Sequence, residues 1–243
     1  MFSYFFWTLF LFVPLTAFST PAKLPKILDF SNICSLEIAE FQLGGLEKMA
    51  HSLQPFNKAP ELAPFFGYLK SAYLIDTVIE TGTWRGKTTA FFSFLFDQVH
   101  TIEISADVYR NAKKILKPYS NITCHLGSSE KVLSQLLPSL KGRPLLFYLD
   151  AHWRQFWPLL QELNEISKTH RDNCIIVIDD FKVPERTDIP FDAYGNNECS
   201  YEYIKSGLSE IFSEYTFHYL IPKSVQCRAK FVAIPKTWQS PVK

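Results

Sequence analysis

At 243 residues, with 25 Lys and Arg against 24 Asp and Glu, the chain carries a formal net charge of +1 and no field of the kind that marks a nucleic-acid or polyanion binder. Its hydrophobic share of 47% and charged share of 20% exclude a disordered or fibrous chain. The five cysteines (Cys34, Cys124, Cys174, Cys199 and Cys227) are scattered, odd in number and without a Cys-x-x-Cys pair, so neither a disulfide framework nor a zinc site is suggested.

Residues 1–22 hold no charged side chain and centre on the apolar run Phe5-Phe6-Trp7-Thr8-Leu9-Phe10-Leu11-Phe12-Val13. Small residues around Ala17-Phe18-Ser19 suit a cleaved secretory signal. The first basic residues, Lys23 and Lys26, follow the run instead of preceding it, which suits an anchor that leaves the main body facing the cytoplasm. Pro14 and a length at the short end of the ~17–25 residues of a membrane span weaken a full crossing. Signal, anchor and membrane-associated leader stay open. The expectation adopted is membrane association with a cytoplasm-facing body, secretion or a periplasmic location being the alternative.

Residues 20–40 read as a linker with Pro21 and Pro25, and two helical stretches, 40–53 and 59–73, complete the segment 23–73 that precedes the main domain. A domain follows over 74–237. Apolar strands are expected at 78–79, 99–104, 121–126, 144–149 and 174–178, separated by helices at 87–96, 106–116, 129–137 and 156–169. Strand-helix repetition implies a parallel sheet covered on both faces. After a loop (181–199) and a helix (201–212), strands at 215–221 and 229–234 lack an intervening helix and should form an antiparallel hairpin. The fold class expected is therefore α/β: a doubly wound, Rossmann-like, seven-stranded, mostly parallel sheet ending in an antiparallel hairpin.

The turn Glu80-Thr81-Gly82-Thr83-Trp84-Arg85-Gly86 joins the first of these strands to its helix, the place where α/β proteins bind nucleotides. Gly86-Lys87-Thr88 resembles the end of a phosphate-binding loop, but that motif needs glycine at position 81, where Thr81 stands. A dinucleotide turn needs glycine at position 84, where Trp84 stands. Glu103 ends the second strand, twenty residues beyond Thr83, where an acid can accept hydrogen bonds from both hydroxyls of a ribose.

The pattern Glu80-x-Gly82-Thr83-x-x-Gly86-x-Thr88 resembles the first motif of the class I S-adenosylmethionine-dependent methyltransferases. The resemblance implies that this turn wraps the methionine part of S-adenosylmethionine, with Glu80 near its amino group. It also implies that Glu103 holds the ribose and that the Gly127-Ser128-Ser129 loop contacts the adenine. Ser128 and Ser129 equally suit helix capping.

Two acidic groups close the fourth and fifth strands: Asp150-Ala151-His152-Trp153 and Asp179-Asp180-Phe181. Neighbouring strand ends lie ~4.8 Å apart, so these carboxylates should converge, and clustered carboxylates repel one another without a proton or a cation among them. Mg²⁺ would answer that need. The pattern resembles the macrocin O-methyltransferase and cephalosporin hydroxylase-like group, which implies Asp150, Asp179 and Asp180 as metal ligands and Asp150 also beside the cofactor. His152, with Asp150, would then take the acceptor's proton. Asp179 and Asp180 can instead satisfy loop N–H groups, and His152 can be a packed aromatic corner. The function expected is methylation of a small-molecule or sugar hydroxyl with divalent-metal assistance. The partner expected is a small-molecule substrate and no nucleic acid, and the competing reading is a non-catalytic binding module on the same fold. The loop 181–199, with Arg186, Asp188, Asp192, Tyr194 and Asn196, is expected to wall the acceptor site.

Overall fold

The computed structural model describes residues 27–29, 44–152, 156–223 and 228–238. The leader (1–22), and with it each expectation placed on it, lies outside the described residues. Among the described residues no helix is long and apolar enough to cross a membrane.

The chain enters through β1 (Ile27–Asp29), α1 (Gly44–Leu53), the single turn α2 (Pro55–Lys58) and α3 (Ala63–Ala72). The alternating region then runs β2 (Thr77–Thr81), α4 (Lys87–Leu95), β3 (Gln98–Glu103), α5 (Ala106–Leu116), β4 (Ile122–Leu126), α6 (Ser129–Leu136), β5 (Leu145–Leu149), α7 (Leu159–Ser167) and β6 (Cys174–Phe181). A two-residue hairpin, β7 (Ala193–Tyr194) with β8 (Asn197–Glu198), interrupts the expected loop before α8 (Tyr201–Ile211), β9 (Tyr215–Ile221) and β10 (Ala229–Pro235).

Among the described residues the main sheet has the order β1-β9-β10-β6-β5-β2-β3-β4. The strands from β6 to β4 are mutually parallel, while β10 runs antiparallel to both β6 and β9. Seven of these strands are those the sequence predicts. The eighth, β1, comes from the segment read as linker and lies parallel to β9 at the sheet edge. Chain order reverses between β2 and β5, so their adjoining carboxyl ends form the switch point at which open α/β sheets bind ligands.

Strand β5 shows why the sheet is central. All five of its residues are buried, Leu145, Phe147 and Leu149 facing α6, α7 and α8, and Leu146 and Tyr148 facing α1, α3 and α4. The second face is aromatic: Phe56 stacks on Phe66 at 4.5 Å between ring centres, and Phe92 and Phe66 both meet the Tyr148 ring. The N-terminal helices thus share the core of the α/β region.

Turn α2 is unusual. Gln54, Phe56, Asn57 and Lys58 all adopt left-handed φ of 54–71°, each costing a non-glycine residue roughly 1 kcal/mol. Burial of the Phe56 ring and a 3.0 Å hydrogen bond from the Phe56 N–H to Thr88 Oγ1 hold the turn in place.

Candidate active site

A cleft of about 660 Å³ opens at the carboxyl ends of β2 to β6, and Glu80, Gly82, Thr83, Gly86's neighbour Lys87, Glu103 and Asp150 line it. Its size is that of a small-molecule pocket.

On the β2 side, Glu80 is buried, and its Oε2 accepts hydrogen bonds from Thr89 Oγ1 and, at 2.7 Å, from Thr101 Oγ1. Burial pushes its carboxyl up to about 7, against the pull of the two hydroxyls. The turn beyond it is built on two glycines. Gly82 sits at φ +86°, and Gly86, at φ +69°, caps α4 and donates its N–H to the Thr83 carbonyl at 2.8 Å. Thr83 packs its hydroxyl on Thr101 at 2.6 Å. Trp84 takes φ +48° with its ring exposed at the cleft mouth, which is how a large residue occupies a position where the resembling motif commonly has glycine. Thr88 lines the cleft, and its Oγ1 accepts the Phe56 N–H.

Glu103 ends β3 as expected. Its Oε2 accepts the Trp84 N–H at 3.0 Å and its Oε1 accepts the Ser105 N–H at 2.9 Å. Two backbone donors therefore fix the carboxylate at the cleft wall, and each oxygen keeps lone-pair capacity for a ligand hydroxyl. Across the cleft, Ser128 precedes α6 in an N-cap conformation, yet its hydroxyl donates to Glu130 Oε1 at 2.8 Å instead of capping. Ser129 is buried and its Oγ has no hydrogen-bond partner among the described residues. Behind it lies Glu162 of α7, 0% exposed and with neither carboxyl oxygen in hydrogen-bond geometry with any described residue. Burial pushes this carboxyl up to about 7, the adjacent Ser129 and Thr81 hydroxyls opposing the rise.

The acids on the β5 and β6 side differ from expectation in position and in partners. Asp179 and Asp180 do not follow β6 but belong to it. A bulge sets Ile178 and Phe181 of β6 against Phe231 and Ala229 of β10, and Asp180 takes φ +55° inside it. Opposite the bulge stand two basic residues. The buried Lys230 ammonium pairs with Asp179 Oδ1, which also accepts the Asp180 N–H at 2.6 Å, while Tyr148 donates its hydroxyl to Asp179 Oδ2 at 2.5 Å. Arg228 bridges Asp180 Oδ2, at 2.6 Å, to Asp192 Oδ1, and Asn57 Nδ2 donates to Asp180 Oδ1 at 3.3 Å. All four oxygens of the expected ligand pair thus accept protein donors. A divalent cation needs six or more oxygens at ~2.0–2.6 Å, and this donor set does not fit one. Among the described residues no group of three or more His, Cys, Asp or Glu side chains is arranged to hold a metal ion.

Asp150 is different. Its backbone N–H is tied to the Thr81 carbonyl at 3.1 Å, but its side chain has no hydrogen bond within the described residues and faces the cleft. Burial and the neighbouring Asp179 and Asp180 carboxylates push it well above the usual carboxylate range. His152 is exposed on the rim and stacks on Tyr194, with ring centres 5.6 Å apart. Tyr194 in turn donates to Asp192 at 2.6 Å, so part of the predicted wall does reach the site. Arg186 and Asp188, by contrast, pair with each other in solvent.

Lys230, Arg228, Tyr148 and Asn57 are absent from the sequence expectation. A signal existed for Lys230: a lone charge inside the apolar strand Ala229-Lys230-Phe231-Val232 has to be paired if buried.

No protein-family model and no curated protein sequence matches this chain. Solved structures do match its fold. An O-methyltransferase from Bacillus cereus in complex with SAH superposes with a TM-score of 0.55 at 17% identity, over 85% of this chain and 94% of that one. The O-methyltransferase TomG from Streptomyces achromogenes, involved in tomaymycin synthesis and solved with SAM, gives 0.53 at 16% identity over 79% and 89%. The SAH-bound Podospora anserina methyltransferase PaMTH1 gives 0.52 at 14% identity over 79% and 88%. The chain has the class I S-adenosylmethionine-dependent methyltransferase fold. One β-strand is added at its edge.

Proposed function

We propose that this protein transfers the methyl group of S-adenosylmethionine to a hydroxyl oxygen of a small molecule. The observation that carries the reading is Glu103: a carboxylate held by two backbone N–H groups at the switch-point cleft, beside a glycine turn too tight for any Cβ at Gly82. Glu103 would hold the ribose hydroxyls, the turn Gly82–Gly86 the methionine portion, and the Gly127–Ser129 edge the adenine. Bound there, S-adenosylmethionine supplies an electrophilic methyl carbon, leaving the chain to provide alignment and a base.

Asp150 is the base in this reading. It faces the cleft with no side-chain hydrogen bond among the described residues, and burial beside the Asp179 and Asp180 carboxylates raises its affinity for a proton. Asp150 would take the acceptor hydroxyl's proton, and the bound cofactor would supply the methyl group to that oxygen. His152, two residues on and exposed at the rim, would pass the proton to solvent.

Calorimetric titration with S-adenosylhomocysteine tests the assignment. Saturable binding by the wild type is expected, weakened by roughly tenfold or more in Glu103→Ala, where charge-assisted hydrogen bonds are lost. Absence of binding, or equal binding by the variant, would overturn it.

A further inference from the structure

Two cations, Lys230 of β10 and Arg228 just before it, sit against Asp179 and Asp180, whose four carboxyl oxygens all accept protein donors. Lys230 is 0% exposed, with its stem on the Leu220 and Val232 face and its ammonium on Asp179. Its ammonium also reaches the Arg228 carbonyl at 3.2 Å. Placing an ammonium there is costly unless it is paired. The β6 bulge gives the reason it is tolerated: the extra residue turns Asp179 toward Lys230 and sets Asp180 toward Arg228 and Asn57. Asp150 follows the neighbouring strand β5, whose last residue Leu149 pairs with Ile178, and the Lys230 charge opposes the rise that burial and the two aspartates impose on its carboxyl.

We propose that Lys230, seconded by Arg228, is the resident counter-cation of the acceptor subsite, standing where a divalent metal would otherwise sit, so that Asp150 works without one. The words "acceptor subsite" rest on the function proposed above; the occupation of the acid cluster by Lys230 and Arg228 does not. Lys230 is a positioning residue. It acts through Asp179, fixing the tyrosine–aspartate pair and the charge that Asp150 experiences, and it is too buried to touch an acceptor. A resident ammonium has fixed charge and fixed place, whereas a bound metal would make activity depend on cation supply.

The test is cation binding, with Mn²⁺ as the probe and electron paramagnetic resonance counting bound ions on the full chain. The wild type, stripped with chelator, is expected to bind no Mn²⁺ in the cluster up to about 1 mM, the weak end of protein sites for hard cations. The double variant Lys230→Met, Arg228→Gln frees Asp179 and Asp180 and is expected to acquire one Mn²⁺ site, lost again on adding Asp179→Asn. Stoichiometric Mn²⁺ in the wild type that Asp179→Asn removes would overturn the proposal, as would a folded double variant that binds none. Should the double variant fail to fold, Lys230→Met with Asp179→Asn removes both charges of the buried pair, and the wild-type measurement alone can still overturn the claim. S-adenosylhomocysteine titration of the same samples separates the two readings. Its failure in the wild type sinks the methyltransferase assignment and leaves the cation result standing.

Discussion

A Cβ built on Gly82 would lie 2.5 Å from the carbonyl oxygen of Asp150 and 3.3 Å from the Cα of Ala151. The turn after β2 and the turn after β5 therefore touch backbone to backbone, and Gly82 is the contact between them. Its φ of +86° adds a second, independent requirement for glycine. Gly82→Ala is expected to lower stability by about 2–4 kcal/mol, since neither backbone can yield cheaply. Surviving protein should bind S-adenosylhomocysteine at least tenfold more weakly, the two loops having been pushed apart. Thermal unfolding and calorimetry read the two effects. A melting temperature equal to wild type would refute the close approach.

The hydroxyl of Thr88 reads from sequence as a cofactor contact and is found accepting the Phe56 N–H at 3.0 Å. That bond anchors the left-handed turn whose Asn57 touches Asp180. Thr88→Val keeps the shape and removes the acceptor, so a buried donor is left unpaired at about 1–3 kcal/mol. Stability should fall by that amount while S-adenosylhomocysteine affinity stays within about threefold, because less than ~0.7 kcal/mol of binding free energy is then at stake. Should affinity collapse with stability unchanged, Thr88 would be the cofactor contact after all.

Trp84 combines a left-handed backbone with a ring 61% exposed, a pairing in which the side chain contributes little and the conformation costs. The Arg85 guanidinium lies 5.8 Å from the ring centre, a surface contact of small value. Trp84→Gly should raise stability by about 1 kcal/mol, measured by denaturant midpoint, through relief of the positive φ. Its backbone N–H, the donor to Glu103, is retained, so ribose binding should persist. A fall in stability would show that the indole is packed in solution.

How far the site was legible follows from these residues. The strand–helix rhythm was readable because β5 and the first five residues of β6 are apolar and helices α4 to α8 each follow Gly, Ser or Pro, so local signals agreed with the fold. The placement of Glu80, Gly82, Glu103 and Asp150 on the cleft was readable because it follows from position at the ends of parallel strands. The fate of Asp179 and Asp180 was not. It depends on a one-residue bulge and on β10, which is some fifty positions away in sequence yet adjacent in the sheet. Carboxylates in sequence proximity suggested a metal, and only the antiparallel neighbour reveals the ammonium and guanidinium that answer them. Turn α2 was illegible for the same reason, since no local propensity favours four left-handed non-glycine residues and only tertiary contacts hold them.

Glu162 gives a pH dependence that a single substitution isolates. Its carboxyl is fully buried, and burial raises it from an ordinary 4.5 to about 7. A raised acid binds its proton more tightly in the folded chain than in the unfolded one. Its contribution is therefore fully present below pH 4.5 and is lost as the pH climbs through 7. Across that window the wild type should lose on the order of 3 kcal/mol through this group, at 1.36 kcal/mol per pKa unit. Glu80, raised in the same direction, adds to the wild-type slope, so the informative quantity is the difference between variants. Glu162→Gln, which cannot ionise, should keep the Glu80 slope and lose its own. The variant should gain on the wild type steadily from pH 4.5 to 8, whatever fixed offset the amide introduces. Denaturant unfolding at several pH values measures this, and parallel curves would mean that Glu162 ionises as freely in the folded chain as in the unfolded one.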